Sequence, residues 1–172
     1  MHARILCPGP SLAKYSAEGF DGLTIGVNRA ATAHLCDVWA SNDWQSCLAL
    51  APQIVGFPLL LTTTASINSP HMRGFVWPGG IKNADDFAYC LTTYATARML
   101  TMNVAVGFAF ITGHTDIAIY GADWSGLLDF DGVAAGTNRN PGRWELEADL
   151  FGHLADELRS KGVNVYRVIH EL

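Results

Sequence analysis

The segment Arg4–Leu12 constrains the fold of this chain more than any other stretch. Arg4–Cys7 is a short apolar run typical of a buried strand, and Pro8–Pro10 breaks it abruptly. Ser11 is a preferred N-cap residue, so a helix is expected to begin at Leu12. A strand, a glycine turn and a helix start in this order are typical of the first β–α unit of an open parallel sheet. Either the N–H groups of this turn hold an anion such as phosphate, or the turn only connects the two elements.

The rest of the chain repeats this alternation of apolar runs and helical patterns. Further strands are predicted within residues 22–27, 36–40, 54–62, 116–120 and 163–168, and helices within 30–35, 44–50, 87–111 and 144–161. The region 87–111 is either one long helix or two helices joined near Leu100. Residues 62–86 and 126–143 are predicted to be irregular loops. Strands that alternate with helices predict the α/β class, with one Rossmann-like domain over residues 1–172 and a mainly parallel sheet flanked by helices.

The composition narrows the classes of partner. The chain is 49% hydrophobic and 16% charged with a net charge of −5, which favours a sheet buried on both faces and allows a homo-oligomer interface. Its 11 basic residues form no cluster, so duplex nucleic acid is not expected as a partner. The longest apolar stretch, residues 99–111, is shorter than the ~20 residues that a membrane span needs.

The cysteines indicate a reducing compartment. Cys7, Cys36, Cys47 and Cys90 form no Cys-x-x-Cys pair and have irregular spacing, so they are predicted to be buried free thiols. The N-terminus also lacks the charged and apolar regions of a secretory signal. Together these features predict a cytoplasmic protein.

Polar residues follow the predicted strands at nearly every strand end. Gly9, Pro10 and Ser11 follow the first strand, Asn28 the second, Asn42 and Asp43 the third, and Gly121 and Asp123 the strand at 116–120. In a parallel sheet all these positions lie at the carboxyl ends of the strands, where open α/β sheets bind their ligands. One such residue is most often a helix cap, but several together favour a ligand site.

The same positions carry a family resemblance. Gly9-Pro10-Ser11-Leu12 after an N-terminal strand resembles the Gly-x-Gly-Pro-Ser-Leu signature of bacterial sialyltransferases and of related pterin-pyrophosphokinase-like proteins. Four further segments resemble consecutive elements of that family, namely 26–29, 36–43, 103–107 and 116–123. The resemblance implies a nucleotide-sugar-dependent glycosyltransferase that uses a cytidine monophosphate sugar as its donor.

The resemblance also implies roles for individual residues. The nucleotide-binding residues would be Gly9, Pro10, Ser11, Asn28, Asn42, Asp43, Gly121 and Trp124. Asp123 would contact the ribose, the sugar or a metal. The resemblance does not supply the general base, and the residues near this position offer Glu145 or His153 as its candidate. The histidine base and the tyrosine pair of the family have no counterpart here, which leaves a non-catalytic nucleotide- or sugar-binding module as the alternative.

A second carboxylate motif raises the question of a metal. Asp129 and Asp131 form an Asp-x-Asp pair in a loop, and such hard oxygen ligands suit Mg²⁺ or Mn²⁺. The competing interpretation is a pair of solvated surface carboxylates. With a metal bound, a metal-dependent pyrophosphokinase-like enzyme becomes a further alternative. In every version the partner is a small nucleotide or nucleotide sugar.

Overall fold

The computed structural model describes residues 1–42, 44–62, 74–76, 100–133 and 141–169. In these ranges the strands are β1 (His2–Leu6), β2 (Leu23–Val27), β3 (Val38–Ala40), β4 (Leu59–Thr62), β5 (Gly74–Val76), β6 (Asp116–Tyr120) and β7 (Asn164–Arg167). The α-helices are α1 (Trp44–Leu50), α2 (Thr101–Ile111) and α3 (Pro141–Ser160). Three short 3₁₀ helices, Pro10–Lys14, Asn28–Thr32 and Ala51–Gln53, complete the described elements.

The described strands form one sheet in the order β5-β4-β3-β2-β1-β6-β7, and every neighbouring pair is parallel. The predicted α/β class and the Rossmann-like, parallel sheet are therefore confirmed. The chain builds the sheet outward from β1 in one direction as far as β5, and then returns to place β6 on the other side of β1. The carboxyl ends of β1 and β6 consequently flank a topological switch point, which is the position where sheets of this class form a ligand crevice.

Apolar side chains cover both faces of the sheet, as the low content of charged residues in the chain predicts. On one face α2 packs over β1, β2 and β3 and α3 packs over β7, with Ile5, Ile25 and Ile119 fully buried in the same apolar cluster. On the other face the 3₁₀ segments and α1 pack around Trp39 and Leu60. Two layers thus shield the strands, and their carboxyl ends are left for loops.

Both long helices run antiparallel to the strands, so their amino ends lie at the carboxyl end of the sheet. Leu100 has an extended backbone, so α2 begins at Thr101, which rules out one continuous helix through Leu100, the first of the two alternatives. The portion of the predicted helix at 87–99 lies outside the described residues. The helix α3 begins at Pro141, three residues earlier than predicted, because proline is well suited to the first position of a helix.

Three sequence-based expectations about local structure are wrong. The helix expected from Leu12 is a single 3₁₀ turn, because Tyr15 returns to an extended conformation. The region predicted to be a loop at 62–86 contains β5, whose three residues pair with β4. Leu146 belongs to the predicted apolar face of α3, yet its side chain is exposed, since the buried stripe begins one turn later at Leu150.

Two further expectations can be compared with the described residues. Cys7, Cys36 and Cys47 are buried free thiols, as predicted, and Cys90 lies outside the described ranges. Among the described helices, none combines the length and the apolar character that crossing a membrane requires.

Candidate functional site

The turns that follow β1 and β6 are joined backbone to backbone at the switch point. The N–H of Cys7 donates to the carbonyl of Tyr120 at 2.8 Å, and the N–H of Gly9 donates to the carbonyl of Gly121 at 2.9 Å. The parallel pairing of β1 and β6 therefore continues past the last residues of both strands. The two turns predicted to carry the site are thus direct neighbours.

Glycine is required at both turns because the chains approach so closely. A Cβ atom on Gly121 would lie 2.1 Å from the carbonyl oxygen of Cys7, and one on Gly9 would lie 2.3 Å from the carbonyl oxygen of Gly121. Gly121 also has a φ of +68°, in the left-handed region that favours glycine. Gly9 and Gly121 therefore serve the contact between the turns, whether or not they also face a ligand.

Ser11 and Asp123 lock the two turns together through their polar groups. The N–H of Ser11 donates to Oδ2 of Asp123 at 2.8 Å, and the Ser11 hydroxyl donates to Oδ1 of the same carboxylate. Ser11 is buried, and Asp123 is partly exposed. The N–H predicted to hold a phosphate is thus already bound to a carboxylate of the same chain. This bond also explains why Ser11 does not act as a helix cap.

Two residues at this end of the sheet are held in a strained backbone conformation. Asn28 directly follows β2 and Trp124 lies in the turn after β6, and both have a φ of +48°. Among the described residues, these are the non-glycine positions with positive φ. Such strain costs on the order of 1–3 kcal/mol and is concentrated at functional sites. Both residues were predicted from the sequence to contact the nucleotide.

The ring of Trp124 supports the side chain of Arg167, a residue that the sequence pattern did not indicate as part of the site. The same ring packs on Phe151 of α3, with the ring centroids 5.5 Å apart. On Trp124 also lies the guanidinium of Arg167, whose Cζ is 4.0 Å from the ring centroid. Arg167 ends β7, and its Nη1 donates to the carbonyl of Ala122 at 2.9 Å. The position of Arg167 at the end of a strand could have indicated it from the sequence, but no glycine or asparagine follows β7 as it follows β1 and β2.

The carboxyl end of the sheet also holds buried polar side chains that lack partners. Asn103, in the first turn of α2, is 1% exposed, and among the described residues neither its amide nitrogen nor its amide oxygen has a hydrogen-bond partner. Within the same ranges the hydroxyl of Ser41, directly after β3, is likewise buried and unpaired. Unpaired buried polar groups cost about 1–3 kcal/mol each, so they are uncommon without a functional reason. Asn42 is half-buried beside Ser41, and Asp43 lies outside the described residues.

The Asp-x-Asp pair is already bound to a cation of the chain. Arg29 contacts Asp131 through Nη2, and its Nε lies 3.6 Å from Oδ2 of the buried Asp129. Burial would raise the pKa of Asp131, but hydrogen bonds from Arg29 and from the N–H of Val133 outweigh it and lower that pKa. Within the described ranges no three His, Cys, Asp or Glu side chains are grouped as a metal site. A divalent ion at Asp129 and Asp131 would have to displace Arg29, so the geometry does not fit a resident metal there.

The two candidate bases on α3 differ in their distance from the switch point. Glu145 lies in the second turn of the helix and its side chain is exposed. His153 lies eight residues further along, about 12 Å toward the amino end of the sheet, since a helix rises 1.5 Å per residue. It is exposed, and its Nε2 is 3.6 Å from Oδ1 of Asp149 on the same helix. The structure thus brings together Ser11, Asp123 and Trp124, but does not bring His153 to them.

Comparison with known proteins gives no relative. No protein-family model matches the chain, and neither curated proteins nor solved structures give a significant match. The resemblance to sialyltransferases therefore stays a prediction, and the geometry of the switch point is the basis for a functional proposal.

Proposed function

We propose that this chain binds a nucleotide or nucleotide sugar in the crevice at the switch point and acts as a nucleotide-sugar-dependent glycosyltransferase. The observation that carries the proposal is the joining of the two predicted turns, Pro8–Ser11 and Gly121–Trp124, between β1 and β6. Ligands of open parallel sheets bind at that position because the loops diverge there.

Three features of the same end of the sheet support a polar ligand. The strained Asn28 and Trp124 are supplied by different strands. Asn103 and Ser41 carry buried polar atoms that a ligand with donors and acceptors would satisfy. Asparagine both donates and accepts, which suits the edges of a base and the hydroxyls of a ribose. The aromatic face of Trp124 suits a base or a sugar ring.

Within this proposal Asp123 has two functions. Its carboxylate holds the turn after β1 through Ser11, and the remaining lone pairs of its oxygens accept hydrogen bonds from a ribose or sugar hydroxyl. Glu145, close to the amino end of α3, remains the candidate general base, while the distance argument disfavours His153.

A non-catalytic binding module is the second candidate, and one observation favours it. Both oxygens of Asp123 accept hydrogen bonds from Ser11, so this carboxylate acts first as a brace between the turns. A protein that has kept the brace but lost the base would bind a nucleotide sugar without transferring the sugar.

Binding is tested first, by thermal shift and calorimetry with CMP, CDP, UDP and ATP, each with and without Mg²⁺. We expect at least one nucleotide to raise the melting temperature, with no requirement for Mg²⁺ because Arg29 already neutralises the aspartate pair. Stabilisation by none of these nucleotides would refute both candidates.

Turnover of a CMP-sugar then separates the enzyme from the binding module. Asp123→Asn and Ser11→Ala form a matched pair, because they weaken the same brace from opposite sides. If Asp123 contributes to catalysis, Asp123→Asn loses turnover while Ser11→Ala retains most of it. Equal losses in both variants would indicate that Asp123 is only a brace. No turnover by the native chain, with binding intact, would establish the binding module.

A further inference from the structure

The turn after β1 leaves the phosphate of a bound nucleotide without its expected partner. The N–H of Ser11 donates to Asp123, so an anion approaching this turn meets a carboxylate instead of a free donor. A phosphate at the switch point therefore requires a cation close to Asp123 that offsets this negative charge.

The arginines of the described chain differ in whether a carboxylate already pairs with them. Arg29 pairs with Asp129 and Asp131, Arg143 donates to Glu147 at 2.6 Å, and Arg159 donates to Asp156 at 2.9 Å. Arg4 lies within β1 and donates to Oγ1 of Thr24 at 3.0 Å, away from the strand ends. Arg167 has no carboxylate oxygen within ion-pair distance in the part of the chain that the structure describes. It nevertheless lies close enough to Asp123 for that carboxylate to oppose the lowering of its pKa by burial.

The environment of Arg167 fixes the direction of its guanidinium. Nη1 donates to the carbonyl of Ala122, and Cζ lies over the Trp124 ring, 4.0 Å from its centroid. Trp124 is itself fixed by its strained backbone and by its contact with Phe151. Among the described residues, Nε and Nη2 make no hydrogen bond, and together they form the side of the guanidinium that binds two phosphate oxygens at once.

We propose that Arg167, held on Trp124 and the carbonyl of Ala122, is the residue that binds the phosphate of a nucleotide at the switch point. This inference rests on the proposed function and adds the group that recognises the phosphate. Arg167 is here a binding residue, and Trp124 and Ala122 position it.

The test compares a nucleoside with its nucleotide by calorimetry on the full chain, using cytidine with CMP and adenosine with AMP. In the native protein the nucleotide is expected to bind at least ten-fold more tightly than the nucleoside. In Arg167→Gln the nucleotide is expected to bind ten- to one-hundred-fold more weakly than in the native protein, on the order expected for charge-assisted bonds. Binding of the nucleoside is expected to stay within two-fold.

Arg159→Gln is the matched control. Arg159 also donates to a backbone carbonyl of β7, that of Val165 at 2.9 Å, but it lies at the carboxyl end of α3 and thus at the opposite end of the sheet. This variant loses the same charge, a similar hydrogen bond and an exposed ion pair with Asp156, yet is expected to leave binding of the nucleotide unchanged.

The outcomes separate this inference from the proposed function. If nucleotides bind and Arg167→Gln binds them as the native chain does, the inference is wrong and the proposed function stands. If neither nucleosides nor nucleotides bind the native chain, both the proposed function and this inference are wrong.

Two measurements do not depend on the folding of Arg167→Gln. Arg167→Lys keeps the positive charge but lacks the two-pronged guanidinium, so its affinity for the nucleotide is expected to be lower than that of the native chain, while its affinity for the nucleoside stays within two-fold. In the native chain, equal affinity for nucleoside and nucleotide would overturn the inference without any variant.

Discussion

Replacing Gly121 with alanine tests the close approach of the two turns on which the candidate site depends. The new Cβ would lie 2.1 Å from the carbonyl oxygen of Cys7 and 3.0 Å from Cβ of Leu12. Neither atom is the end of a flexible side chain, so the turns must move apart. The movement would break the hydrogen bond from Gly9 to the carbonyl of Gly121.

The expected loss of unfolding free energy in Gly121→Ala has three parts. A left-handed alanine costs about 1 kcal/mol, overpacking a rigid contact typically costs about 1–3 kcal/mol, and a lost hydrogen bond costs about 1 kcal/mol. We expect Gly121→Ala to lower the free energy of unfolding by about 4 kcal/mol, and the melting temperature by about 8–16 °C for a chain of this length. Such a loss is a large fraction of the stability of an ordinary domain.

Gly162→Ala is the control that isolates the steric part. Gly162 follows α3 with a φ of +81°, but a Cβ there meets no atom of the described residues within 4 Å. It is expected to lose only the backbone contribution, about 1 kcal/mol or 2–4 °C. Urea unfolding followed by circular dichroism measures both variants. Equal losses for the two alanines would refute the close contact between the turns.

Three further predictions concern charge, reactivity and the unpaired amide. Arg29→Met is expected to destabilise the protein by about 1–3 kcal/mol at pH 7, because it strands the aspartates that Arg29 contacts. Arg29 lowers the pKa of Asp131 in the folded protein, so the ion pair stabilises the fold above the ordinary aspartate pKa of about 4. This stabilisation is lost as the pH falls and Asp131 takes up a proton. Urea unfolding should therefore show the native protein and Arg29→Met converging in stability below about pH 4. Burial and Asp37 raise the pKa of the Cys36 thiol to about 12, so little reactive thiolate is present at pH 8. Peptide mapping after treatment with iodoacetamide at pH 8 should find Cys36 modified only in denatured protein. Labelling of Cys36 in the native protein would contradict its burial. Asn103→Leu is expected to raise the melting temperature of the ligand-free protein, because it removes an unpaired buried amide, and to reduce the shift that a nucleotide produces. A lower melting temperature in the absence of ligand would indicate that the amide has a partner.

The local pattern of the sequence determined much of the fold. Residues 44–50 and 116–120 form the helix and the strand predicted for them, because apolar periodicity and flanking turn residues act over a few positions. The pattern also indicated that Gly9, Asn28, Asn42 and Gly121 follow strands, which places them at one end of any parallel sheet. The short strand β5 escaped detection because three residues carry too little periodicity.

Only the tertiary structure decided how these strand ends meet. The local pattern of the sequence does not reveal that β6 lies beside β1, which joins Gly9 to Gly121 and Ser11 to Asp123 across more than a hundred residues. Nor does it reveal that Arg29 binds the aspartate pair, or that Arg167 lies on Trp124. Hydrophobic periodicity is a local property of the chain, whereas charge pairing and the sharing of hydrogen bonds depend on which strands are neighbours. The sequence therefore determined the candidate residues, and the order of the strands decided which of them act together.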